Sequence, residues 1–312
     1  MQPPHHPTTP LLPPQNAHQV PIKYQFFSPA DAAKVSRLQL SARQVVEGVI
    51  SGQHKSPHRG FSVEFSEHRK YVAGDELRHL DWRAYARSDR YYVKLYEQET
   101  NLRATLVVDT SASMRFGSPT PKIDYARHLA PCLAYLLSTQ QDLAGLVAID
   151  ESVRLELPAG SSPAHLDQLF RSLESIQPGK LTDLARQLHG LSERLPRRSL
   201  VILLSDLWVE PDELVKSLQH LRYRKHQGMV LHLLDKAEID LPYDQQVTFQ
   251  DLETNEKLQV DPAEVRDVYR QQVRDYLDRI RRVCNDSNVE YHEMFIHEPY
   301  DKALARLMSR RK

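Results

Sequence analysis

The chain has 312 residues and carries 41 basic (Lys and Arg) and 41 acidic (Asp and Glu) side chains, enough for one large domain or two ordinary ones, with ample apolar material for a core. The balance excludes a global field toward nucleic acid or an anionic membrane. No run approaches the roughly 18 apolar residues of a membrane span, and the N-terminus lacks the basic-then-apolar layout of a signal peptide.

The first 21 residues, MQPPHHPTTPLLPPQNAHQVP, are crowded with proline, which excludes helix and central strand and predicts a disordered or polyproline-like tail. Segment 29–51 reads as one or two amphipathic helices, with Val35, Leu38, Val45, Val46 and Val49 near helical spacing. Residues 60–99 are dense in charge and aromatics. They are expected to act as scaffolding, with ion pairs such as Asp75 with Arg78, the alternative being an added interaction face, and to close on a period-2 strand, YYVKLYEQ.

Beyond Asn101 strands and helices alternate. The short apolar runs 105–109, 143–150, 200–206 and 229–234 predict strands buried on both faces, separated by helices at 122–139, 163–176, 182–194 and 211–225. A hairpin is expected at 247–260, then a helix at 262–286, a strand at 289–296 and a last helix from 300. The alternation predicts a mainly parallel α/β sheet with helices on both faces. The expected division is a tail (1–21), an N-terminal α+β extension (22–100) and the α/β domain (101–312). Cys132 and Cys284 fall in helical patterns, neither beside a second cysteine at metal-ligand spacing, which fits a reducing cytoplasm.

Function concentrates at strand ends. In open α/β sheets, ligands gather at the carboxyl ends of the strands, where Asp109 and Asp206 are expected. Ser111 and Ser113 follow Asp109 in a turn, and Thr182 opens a helix. Carboxylates and hydroxyls together suit a hard divalent cation, whose charge the two aspartates balance. Competing chemistry fits poorly. A dehalogenase-type nucleophile wants a second Asp where Ser111 stands, and a serine hydrolase wants a Gly-x-Ser-x-Gly elbow. Gly179-Lys180 lacks the spacing of a phosphate loop, and His232 and His292 read as structural.

Asp109-Thr110-Ser111-Ala112-Ser113 resembles the Asp-x-Ser-x-Ser metal-ion-dependent adhesion site of von Willebrand factor A domains, with Thr182 and Asp206 matching the downstream threonine and aspartate. More specifically, EFSEHRKYVAGDELRHLDWRAYARSDRYYVKLYEQE and TFQDLETNEKLQVDPAEVRDVYR resemble the bacterial "domain of unknown function 58" family. That resemblance implies a von Willebrand factor A-like fold and a non-enzymatic module in which Asp109, Ser111, Ser113, Thr182 and Asp206 hold Mg²⁺ or Mn²⁺. The ion would capture an acidic side chain of a protein partner. It also implies a MoxR-type AAA+ ATPase, or its client, as that partner. The alternatives are a metal-dependent phosphoesterase or hydrolase, and a metal-free scaffold. Two departures stand out: Leu181 precedes Thr182 where family members commonly have a glycine pair, and the N-terminal membrane helices of many relatives are missing.

Overall fold

The computed structural model describes residues 24–36, 64–72, 80–88, 90–97, 102–179, 183–252 and 256–309. The proline-rich stretch, the expected helix beyond residue 36, the Asp75–Arg78 pair, Thr182 and the tip of the 247–260 hairpin lie outside them.

The chain begins with helix α1 (Pro29–Ser36), strand β1 (Glu64–Lys70), helix α2 (Trp82–Ser88) and strand β2 (Tyr92–Glu97), with β1 and β2 paired antiparallel. Next come β3 (Arg103–Asp109), a 3-10 turn (Ala112–Arg115), α3 (Lys122–Thr139), β4 (Leu143–Ile149), β5 (Val153–Gly160), α4 (Pro163–Ser175), α5 (Leu184–Arg194) and β6 (Leu200–Ser205). The remainder is α6 (Pro211–Tyr223), β7 (Gln227–Leu234), α7 (Lys236–Asp240), β8 (Val247–Gln250), β9 (Lys257–Val260), α8 (Pro262–Asp286), β10 (Glu290–Phe295) and α9 (Tyr300–Ser309).

Six strands form the central sheet in the order β10-β7-β6-β3-β4-β5, all parallel except β5, which runs antiparallel to β4. The expected mainly parallel α/β architecture is therefore present. The chain enters at β3 in the middle, runs outward through β4 and β5, then returns to β6 on the other side of β3. This 3-2-1-4-5-6 winding leaves a crevice at the carboxyl ends of β3 and β6, where the direction of winding reverses.

The apolar runs follow from burial on both faces. Along β3, Ala104, Leu106 and Val108 face one core with α3, α4 and α9, while Val107 faces a second with α5, α6 and α8. β6 repeats the pattern, with Leu200, Ile202 and Leu204 on the first face and Val201 and Leu203 on the second. Each such Val, Leu or Ile contributes about 1.5–3 kcal/mol of burial energy, which sets the strand register and hence where each strand ends.

Strand β1 and helix α2 escape the sequence reading of the charged block 60–99, and within the α/β domain so do one strand and one helix. β5 alternates Val153, Arg154, Leu155, Glu156, Leu157, with the apolar members packed inward. This period-2 signal is interrupted by Pro158, which an edge strand tolerates. Helix α7 is too short for a periodicity, and a capping box of Asp235 and Glu238 forms it. The hairpin is present as β8 paired antiparallel with β9. Residues 24–36 lie on the α/β core: Phe27 packs on Tyr135 and Phe170, and Tyr300 donates to Asp31.

Candidate metal centre

Two strand ends and one turn build the crevice. β3 delivers Asp109 as its last residue, β6 ends at Ser205, and Asp206 follows it; all three are buried. After Asp109 the chain turns tightly. The Ser111 amide donates to Asp109 Oδ1 at 2.9 Å, and the 3-10 turn that follows swings Ser113 back over the strand end.

The oxygens converge. Ser111 Oγ lies 3.0 Å from Ser113 Oγ, and Ser113 Oγ donates to Asp206 Oδ1 at 3.2 Å. Adjacent ligands of an octahedral Mg²⁺, at about 2.1 Å from the ion, are about 3.0 Å apart. The two separations thus have the length of octahedron edges. Asp109 stands alongside, its Oδ2 accepting from Ser205 Oγ at 2.6 Å, and Ser205 Oγ in turn accepts from the Leu207 amide at 2.9 Å.

Of the five residues read from the sequence, Asp109, Ser111, Ser113 and Asp206 come together, and Thr182 lies outside the described residues. Its flanks are tied to the same corner. The Gly179 amide donates to the Thr110 carbonyl at 2.6 Å, the Asp183 amide donates to the Asp150 carbonyl at 3.3 Å, and Arg115 Nη2 donates to the carbonyls of Pro178 and Gly179. Gly179 has no room for a side chain, because a Cβ there would fall 2.2 Å from Asp150 Oδ2.

Electrostatics marks the crevice out. Burial, then the nearby Asp206 charge, push the Asp109 carboxyl up to about 6, against the hydrogen bonds from Ser205 and Ser111. Two carboxylates in a dry pocket repel, and a cation between them would relieve that repulsion. Among the described residues no three His, Cys, Asp or Glu side chains form a metal-holding group. The local donors are two carboxylates and neutral hydroxyls, which are hard-ion chemistry.

Sequence reasoning missed the second half of the site. Lys122, the first residue of α3, is fully buried, and its Nζ donates to Asp206 Oδ2 at 2.5 Å and to Glu238 Oε1 at 2.6 Å. Burial pulls the ammonium down, but Asp206 and Glu238 outweigh it and hold it above its usual range. For Glu238 burial prevails over the ammonium and pushes the carboxyl up. Ser205 was legible as the hydroxyl beside Asp206. Nothing local distinguishes Lys122 from a solvated first-turn lysine.

His232 is satisfied at both nitrogens, Nε2 against the Asp206 carbonyl oxygen at 2.8 Å and Nδ1 against the Tyr291 hydroxyl at 2.7 Å. Burial pushes it down to about 4, so it is neutral at physiological pH. The loop after Asp206 is pinned from α8. The Tyr276 hydroxyl has the carbonyls of Leu207 and Val209 as acceptors for its single proton and accepts from the Val209 amide at 3.2 Å, and its ring stacks on Trp208 at 5.4 Å. Trp208 is 44% exposed at the rim.

Comparison with known proteins gives a family match and remote structural likenesses. The family model described as "Protein of unknown function DUF58" matches residues 67–278. An uncharacterised protein of Mycobacterium tuberculosis, Rv1480, is 28% identical over 241 residues, covering 75% of each chain. Among solved structures, an aerotolerance-related membrane protein from Bacteroides fragilis aligns with a TM-score of 0.47 at 16% identity, over 66% of this chain and 96% of that one. The VWA domain of SpRpn10 aligns with a TM-score of 0.39 at 9% identity, over 66% and 94%. No helix among the described residues is long and apolar enough to cross a membrane.

Proposed function

The chain belongs to the family described as protein of unknown function DUF58, and within it we propose a protein-binding module that depends on a divalent cation. Asp109, Ser111, Ser113, Asp206 and Thr182 would hold Mg²⁺ or Mn²⁺, and a partner would offer an acidic side chain to the ion. The observation that carries this reading is the run of oxygens Ser111, Ser113 and Asp206, at successive separations of 3.0 and 3.2 Å, at the switch point of the sheet. The partner class, a MoxR-type AAA+ ATPase or its client, comes from the family resemblance alone.

A binding role suits the groups present better than a hydrolytic one. The serine hydroxyls engage each other and Asp206, and His232 has both nitrogens taken up by the Asp206 carbonyl and the Tyr291 hydroxyl. The acceptor of the Ser113 proton is the Asp206 carboxylate, whose other oxygen is paired with the Lys122 ammonium, which makes it a poor general base.

The test has two arms. Calorimetric titration of Mg²⁺, and Mn²⁺ titration followed by electron paramagnetic resonance, should give one site in wild type and none in Ser113→Ala combined with Asp206→Asn. Affinity capture from native cell extract, with wild type and Asp109→Ala in Mg²⁺ and in chelator, should retain an AAA+ ATPase or its client only on metal-loaded wild type. Equal capture in every condition would refute the metal as the binding surface, and turnover of a phosphate ester abolished by Asp109→Ala would replace binding with catalysis.

A further inference from the structure

A buried ammonium beside a cation site calls for an explanation, because lysine is rarely buried unless paired. Lys122 Nζ contacts Asp206 Oδ2 on one side and Glu238 Oε1 on the other, in a side chain with no exposure at all, and lies 5.6 Å from the centre of the Phe116 ring. A fold that needed only packing here would be served as well by an apolar residue of similar volume. Each carboxylate contacting Lys122 has a separate task. Asp206 turns its other oxygen to Ser113, and Glu238 closes the capping box of α7 through the Asp235 amide.

The charges sum to a definite value. Asp109, Asp206 and Glu238 contribute three negative charges and Lys122, paired with two of them, one positive, a net of two negative charges over these four groups. The ammonium also occupies Asp206 Oδ2, so Oδ1 alone faces the hydroxyls. We propose that Lys122 is a resident counter-ion that sets the charge of this site at minus two and thereby makes it selective for a divalent over a trivalent cation. This rests on the reading of the oxygen set as a cation site. Lys122 acts through Asp206 and Glu238 as a positioning residue and touches no partner.

The prediction has a sign for each substitution. Lys122→Met leaves three negative charges and favours a trivalent ion; Glu238→Gln leaves one and disfavours it; the double variant restores two. Mn²⁺ affinity is read by electron paramagnetic resonance and Tb³⁺ affinity by luminescence sensitised by the protein's aromatic side chains, on the full chain at mildly alkaline pH, where freed carboxylates are ionised. One unit charge beside Asp206, screened between protein and water, should raise the Tb³⁺ to Mn²⁺ affinity ratio about tenfold in Lys122→Met and lower it, by less, in Glu238→Gln, whose carboxylate lies behind the lysine. The double variant should return toward the wild-type ratio. A merely structural role for Lys122 would lower the melting temperature and leave the ratio where it was. If Lys122→Met does not fold, Glu238→Gln, which keeps the lysine, carries the test. Wild type that binds Mn²⁺ with a ratio indifferent to every variant overturns the role of Lys122 while the site stands. Wild type that binds no Mn²⁺ overturns the cation reading itself.

Discussion

Replacing Asp109 by asparagine is expected to stabilise the metal-free protein. The carboxyl is buried and is pushed up from its usual 3.8 to about 6, chiefly by desolvation and then by the charge of Asp206. At ~1.36 kcal/mol per tenfold change, the shift corresponds to as much as about 3 kcal/mol of strain in the ionised folded state at neutral pH. Because the folded chain binds this proton more tightly than the unfolded one, stability from this source is full below the usual 3.8 and is lost as pH rises through about 6. Asparagine keeps the shape, still accepts from the Ser111 amide, and can donate to Ser205 Oγ, so it removes the charge with little loss of hydrogen bonding. In chelator at neutral pH, urea unfolding should show Asp109→Asn about 1–3 kcal/mol more stable than wild type, with the difference shrinking as pH falls below about 6. Mg²⁺ at a hundredfold excess over its Kd should then add about 2.7 kcal/mol to wild type and leave the variant unmoved. An Asp109→Asn chain less stable than wild type in chelator, or a difference that grows toward acid, would refute the reasoning.

Two further outcomes follow from the surrounding hydrogen bonds. Ser205→Ala removes the donor to Asp109 Oδ2 and leaves the buried Leu207 amide without its acceptor, so urea unfolding should record a loss of about 1–3 kcal/mol. Tyr276→Phe deletes the hydroxyl that clamps Leu207 and Val209 while keeping the ring that stacks on Trp208. In a Trp82→Phe background Trp208 is the one remaining tryptophan, and its emission should shift to the red with a stability loss of about 1 kcal/mol; unchanged emission would mean the ring alone holds the loop.

The fold was legible where burial writes a period into the chain. Helices 122–139 and 262–286 begin and end as their spacing and flanking residues predict, and the apolar runs mark the four central strands to within a residue or two. β5 was missed because its alternation is broken by Pro158 near the edge of the sheet, where one face is solvated and the apolar signal is halved. α7 was missed because five residues hold too few turns for periodicity, and its stability comes from a cap.

Half of the candidate site was legible for a related reason. Asp109, Ser111 and Ser113 are neighbours in the chain, and Asp206 ends its own apolar strand, so local order already places them at strand ends. That β3 and β6 lie side by side, with Asp109 and Asp206 across one crevice, is a fact of sheet order, not of either segment. Lys122, Asp206 and Glu238 meet across separations of 84 and 116 residues, and nothing in the first turn of α3 marks its lysine as buried. What the sequence determined by itself was which residues could serve as oxygen donors and which face of each element was apolar, since both follow from neighbours within one or two turns. Only the tertiary structure decided which charges share a dry pocket, because burial of an ionised group depends on every element packed around it.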